Sequence, residues 1–227
     1  MARAIPAIER KPPTLQKEEP LNEQVYQRLK WALTVGDYAP GDTLSIRKIA
    51  AELNISMMPV REALKRLVSE RALVSSANRS FRVDRLAPKR ISDLFFVRSS
   101  LESTATKLAA PLLTTAQIDR LEELADQMDE DVDKGDMRSY ICRNYSFHFT
   151  IYTASMNAEL VAIIESLWMQ TGPYLRSGVS RTGMSRDWRQ KHRQIADAIR
   201  ARDTGLAREL IELDINWGTK VFGSEVI

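Results

Sequence analysis

Leu44 to Leu67 read LSIRKIAAELNISMMPVREALKRL. Ile46, Ile49, Ala50 and Leu53 recur at helical spacing, and Val60, Leu64, Leu67 and Val68 do so again after a gap. The stretch therefore predicts two short helices around a tight turn, each with one face to bury. Asn54 suits the left-handed backbone that ends a helix. Ser56 suits the cap of the next helix, accepting an orphan backbone N–H. Pro59 falls in that helix's first turn, where its missing N–H costs little.

On the open side of the second helix Met57, Arg61 and Lys65 fall at i, i+4 and i+8, away from the apolar stripe, with Arg66 also on this helix. A cationic face of this kind fits a major groove lined with phosphates and acceptor-rich base edges. Its bland counterpart is a solvated charged face. Upstream, Leu21, Val25, Leu29 and Leu33 form a stripe at four-residue spacing, ended by Gly36, Pro40 and Gly41. Downstream, residues 73–76 and 81–83 flank the turn-like 77–80 as a hairpin of two short strands. Three helices and a basic hairpin make a winged helix-turn-helix. Arg79 and Arg82 lie on the wing, either to reach phosphates or the adjacent groove or as ordinary exposed arginines.

Charge follows the same division. Residues 1–90 carry 17 Lys and Arg against 10 Asp and Glu, and the rest carries 16 against 20, within a net +3. A basic front and an acidic back are expected when one domain alone meets a polyanion. At 227 residues the chain has room for two small domains. No apolar run approaches the ~20 residues of a membrane span, and no signal-peptide core opens the chain. The single Cys142 offers no disulfide framework, which fits a cytoplasmic protein and a small buried apolar residue. Residues 1–20, with Pro6, Pro12, Pro13 and Pro20 among charges, read as a disordered tail. The winged helix-turn-helix occupies 21–86.

From Pro88 to residue 222 the pattern is helical throughout, with helices predicted near 88–110, 115–134, 137–154, 158–176, 185–202 and 205–221. Breaks fall at Pro111, Gly135, Asn157 and between Gly178 and Gly183. The predicted fold is mainly α: the winged domain with its small β-hairpin, then an all-α bundle. Asn144 and His148 are four apart and share a helix face, while His192 lies on a later helix.

The run VYQRLKWALTVGDYAPGDTLSIRKIAAELNISMMPVREALKRLVSERALV closely resembles the DNA-binding domain of GntR-type bacterial transcription regulators. VRSSLESTATKLAA, FHF, LWMQTGPYLR and HRQIADAIRARD resemble the all-helical ligand domain (FCD type) of that family's FadR branch, and six helices are nearer its shorter, VanR-like form. The resemblance implies a homodimer that binds a near-palindromic operator in double-stranded DNA and responds to a small metabolite in the 88–222 domain. It places Arg47, Ser56 and Arg61 at DNA contacts. The chain departs from the pattern at Met57, where Arg is usual, and at Ser80, where the wing usually has Gly.

In the ligand domain the resemblance implies a metal set at Asn144, His148, His192 and Asp214, the first and last differing from the usual Asp and His. A carboxylate absent at 144 reappears at 214, and two imidazoles, a carboxylate and an amide oxygen suit one Zn²⁺, Ni²⁺ or Mn²⁺. The same histidines read equally as pocket residues that hydrogen-bond an organic ligand without metal. Arg98 and Glu102 match the family's inward-facing pair, Arg98 suited to a ligand carboxylate and the two together to an intrahelical ion pair. Arg176 is a second anion holder. The leading expectation is thus a repressor sensing a small carboxylate, with no enzymatic activity. The alternatives are a metal-dependent hydrolase on the helical domain, and helices that serve dimerisation alone.

Overall fold

The structure is a computed structural model describing residues 19–75, 80–182 and 189–223, with 176–182, 219–220 and 222–223 described by backbone alone. In chain order the elements are α1 (Leu21–Thr34), β1 (Thr43–Leu44), α2 (Ile46–Leu53), α3 (Met57–Ser69), β2 (Leu73–Ser75), β3 (Phe81–Val83), α4 (Pro88–Ala109), α5 (Thr115–Asp133), α6 (Met137–Ala154), α7 (Ala158–Thr182), α8 (Lys191–Arg200) and α9 (Thr204–Gly223). The described residues fall into two compact units. One runs to Leu86 and includes Trp168–Tyr174, and the other comprises Ala87–Leu167 and the chain from Leu175 onward. The tail expected over 1–20 lies outside the described residues except for its last two.

In the first unit Val25, Leu29 and Leu33 of α1 meet Ile49 and Ala50 of α2, Val60, Leu64 and Leu67 of α3, and Leu44, Leu73, Phe81 and Val83 of the strands. Each such large side chain buried contributes roughly 1.5–3 kcal/mol. Leu21, predicted in the α1 stripe, is exposed instead, because it is the first residue of the helix and lies beyond the core's edge. Asn54 takes the left-handed conformation, φ 53° and ψ 46°, and closes α2. Ser56 stands at the N-cap of α3 but its hydroxyl makes no capping bond, so the position was legible and the bond was not.

The wing is a sheet of order β1-β3-β2, antiparallel throughout, with Leu44 opposite Phe81 and Leu73 opposite Val83. β1 was not foreseen. Residues 77–79 of the predicted turn, and residue 76 before it, lie outside the described residues, and Ser80 is not among the residues of positive φ, so its replacement of Gly strains nothing at that position. The middle of α7 belongs to this unit. Met169 enters its core, and the Tyr174 hydroxyl donates to the Asp84 carbonyl at 2.8 Å while accepting the Leu86 N–H at 2.6 Å. Gly172 is required there, since a Cβ would lie 2.3 Å from the Leu33 carbonyl oxygen. This burial outweighs the ~3 kcal/mol cost of Pro173 inside the helix. The break predicted between Gly178 and Gly183 does not begin at Gly178, α7 continuing to Thr182, because one glycine costs only about 1 kcal/mol and does not by itself end a helix; residue 183 lies outside the described residues.

In the second unit α4 packs against α6 and α9, α5 against α6 and α8, and α8 against α9. Gly218 lets α9 close on α4, because a Cβ there would come 2.1 Å from the Phe95 ring. Arg189, Arg193 and Arg200 pair with Asp129, Asp133, Asp126, Glu122 and Asp119 along α5. That ladder holds α8 with His192 buried on its other side. α8 ends at Arg200 rather than at the predicted 202, because Arg202 turns left-handed at φ 60°. Its guanidinium offsets that strain by donating to the Ala110 and Leu113 carbonyls at 2.9 and 3.0 Å.

Candidate DNA interface and ligand site

Met57, Arg61 and Lys65 project from one face of α3, beside Met58, with Met57 47% exposed. Arg47 is exposed on α2, and Arg82 is exposed between buried Phe81 and Val83 on β3. No ion pair or hydrogen bond engages Arg47, Arg61, Lys65 or Arg82 among the described residues. Their charge is therefore available to phosphates, each neutralised phosphate steepening the salt dependence of binding. Arg79 lies outside the described residues.

Arg66, one position along from Lys65, differs. Its guanidinium reaches Glu23 at 2.7 Å and Glu70 at 3.0 Å and lies 3.5 Å over the Tyr26 ring, whose hydroxyl donates to Glu70 at 2.8 Å. Burial, and next the bond to Glu70, push the Tyr26 phenol far above its ordinary range, so it stays a donor. Arg66 thus joins α3 to α1 and is withdrawn from the cationic set.

In the second unit Asn144, His148 and Tyr152 share one face of α6 at four-residue spacing. Across from them stand His192 on α8, Asp214 on α9, and Arg98 and Glu102 on α4. The Asp214 Oδ2 lies 3.3 Å from His148 Nε2, and the Asn144 Oδ1 lies 2.8 Å from His192 Nε2. Donor atoms of His148, His192 and Asp214 all fall within 4.8 Å of one another. The structure thus brings to one place the four residues at which the resemblance implies a metal. Arg176 is in α7 by its backbone, but its side chain lies outside the described residues.

Burial drives the His192 imidazole down to about 4, overriding the opposing pull of Asp214, so it is neutral at pH 7 and offers a lone pair. Burial alone would raise the Asp214 carboxyl; His192, the bond from His148 and the charge of Arg98 more than offset this and hold it below the ordinary value. Asp214 Oδ1 is buried with no hydrogen-bond partner among the described residues. A buried carboxylate oxygen left unpaired beside two imidazole nitrogens and an amide oxygen suits a divalent transition metal.

Arg98 is 3% exposed and holds Glu102, 0% exposed, through Nε to Oε1 at 2.7 Å. The pair lies in the interior rather than on a solvated helix surface. Glu102 Oε2 accepts from the Tyr152 hydroxyl at 2.5 Å, and that oxygen sits 2.9 Å from His148 Nδ1. Tyr152 escaped the sequence reading. Its spacing of four from His148 was the available signal.

Residues 21–83 match the family of bacterial regulatory proteins of gntR type, and residues 93–216 match the FCD domain. The HTH-type transcriptional regulator McbR of Escherichia coli (strain K12) is 33% identical over 190 residues, 82% of this chain and 86% of McbR. The HTH-type transcriptional repressor GlaR of the same strain is 26% identical over 199 residues, 82% of this chain and 88% of GlaR. A solved structure of E. coli McbR/YncC superposes with a TM-score of 0.84 at 30% identity, covering 90% of this chain and 97% of that one. These relatives are regulators rather than enzymes, and no described helix is long and apolar enough to cross a membrane. The chain belongs to the GntR family of bacterial transcription regulators, joining a gntR-type DNA-binding domain to an FCD domain.

Proposed function

We propose that this regulator is a cytoplasmic repressor acting as a homodimer on a near-palindromic operator, and that a small organic acid in the FCD domain controls its hold on DNA. Six helices among the described residues of the second unit favour the shorter, VanR-like form of that domain. Asn144, His148, His192 and Asp214 would hold one Zn²⁺, Ni²⁺ or Mn²⁺. When bound, the metal supplies open coordination positions for a ligand carboxylate. The observation that carries the reading is the buried Asp214 oxygen with no hydrogen-bond partner among the described residues, set beside the nitrogens of His148 and His192. Arg98 lies close enough to act on Asp214, and it would hold the anion in competition with Glu102. Arg176 remains a second anion holder. For control to follow, the acid must bind one dimer geometry more tightly than the other.

The test is a mobility-shift titration with DNA flanking the protein's own gene, repeated with a panel of carboxylic acids and with Zn²⁺, Ni²⁺ or Mn²⁺. Selective, salt-sensitive binding that one acid weakens in the presence of metal supports the reading. Equal affinity for scrambled DNA, or indifference to every acid and metal, overturns it.

A further inference from the structure

We infer that Tyr152, held by Glu102, is a positioning residue that keeps the proton of His148 on Nδ1 and so makes Nε2 the nitrogen presented to the proposed metal site. Its consequence for metal rests on the reading above, but its geometry does not.

Glu102 is clamped by Arg98, whose Nε lies 2.7 Å from Oε1 and whose second terminal nitrogen lies 3.4 Å from Oε2. A carboxylate so held only accepts. The single phenolic proton of Tyr152 therefore goes to Oε2 at 2.5 Å. Its oxygen is left to accept from His148 Nδ1 at 2.9 Å, so Nδ1 carries the ring proton. Nε2 is then the nitrogen turned to the Asp214 carboxylate, 3.3 Å away. A proton on Nε2 bonds that carboxylate, and a metal at the site would take the place of that proton and receive the Nε2 lone pair. Charge on α4 thus determines which nitrogen α6 offers.

Glu102→Gln reverses this order without changing volume. The shorter Arg98 contact keeps the amide oxygen at the Oε1 position, so the NH₂ replaces Oε2 and donates to Tyr152. The phenol then donates to His148 Nδ1, and the ring proton moves to Nε2, where it blocks a metal. Tyr152→Phe deletes the Nδ1 acceptor and leaves Glu102 and Arg98 paired, which covers the case in which the first variant folds poorly.

The experiment is ¹⁵N NMR of the metal-free protein, whose two histidines make assignment direct, together with zinc titration. Wild type should show a protonated His148 Nδ1. Glu102→Gln should show a bare Nδ1 and a protonated Nε2, and both variants should bind zinc about 10- to 100-fold more weakly. A bare Nδ1 in wild type, or the same tautomer in wild type and Glu102→Gln, overturns the inference even if zinc binds. Tautomer reversal with unchanged zinc affinity also overturns it. Tautomer reversal in a protein that takes up no zinc, nickel or manganese supports the positioning role and refutes the metal reading.

Discussion

Arg61 on α3 and Arg98 on α4 are both helical arginines with a glutamate within four residues, Glu62 and Glu102. Arg61 has no ion pair among the described residues, whereas Arg98 is 3% exposed and bonded to Glu102 at 2.7 Å. Arg61 is only half-buried, so water still reaches its charge and it can stay unneutralised until a phosphate arrives. The second has lost its water and must be neutralised in place. The exposed face of α3 therefore holds charge in reserve, and the interior of the second unit holds charge already committed. An effector anion of the kind proposed above would have to displace or share an existing partner there.

The comparison is broken most directly at Glu102. Glu102→Ala removes the carboxylate bonded to buried Arg98, which should cost about 3–5 kcal/mol in urea unfolding, while Arg61→Ala should leave unfolding unchanged within about 0.5 kcal/mol. Equal effects of the two substitutions would show that burial does not separate the two arginines.

The interior should also respond to acid. Burial lowers His192 to about 4 from the ordinary 6.5. The unfolded chain therefore takes up a proton between those values that the folded chain refuses, and stability falls as pH drops through that window, by about 3 kcal/mol in total. Asp214, held below the ordinary carboxyl value, adds a loss of the same sign at lower pH. Metal-free unfolding curves from pH 7.5 to 4.5 should show the slope, and His192→Gln should flatten it. An unchanged slope in the variant would assign the acid sensitivity elsewhere.

The first region was far more legible in the sequence than the second. The turn at Asn54, the faces of α2 and α3 and the strand of Arg82 all follow from periodicities of 3.6 and 2 read within a few residues. β1 was missed because two residues carry no period. Of the two partners of Arg66, Glu70 four residues on is readable from spacing, whereas Glu23 lies 43 positions away and is not. In the interior, spacing put Asn144 and His148 on one face, but the bond from Tyr152 to Glu102 spans 50 positions and left no local trace. Periodicity also shows that α7 has an apolar face without showing which core receives it, so the place of Met169 in the winged unit's core was invisible.

On α3, Arg61→Ala should weaken operator binding by about 1–3 kcal/mol, roughly 5- to 150-fold, and relax selectivity at one base position if the contact is to a base. A loss uniform across sequences, with the salt slope reduced by about one, would place it on phosphate. Arg66→Ala supplies the control, since Glu23 and Glu70 already engage that guanidinium. It should leave operator affinity near wild type.

The smallest expected effect tests whether the reserve of charge can be enlarged. Met57 is 47% exposed, four residues before Arg61 on the same face, and stands where the family pattern has Arg. Because water solvates an added guanidinium there, Met57→Arg should fold as wild type does. It should tighten DNA binding by about 1 kcal/mol, with a salt slope steeper by about 0.9 if the new contact is to phosphate. If position 57 faces the groove, Met57→Arg should also recover part of the affinity lost in Arg61→Ala, since neighbouring cations on one face share the same stretch of backbone. Tighter binding with the same gain on scrambled DNA would mean that Met57 lies outside the base-reading surface and that α3 begins its contacts at Arg61.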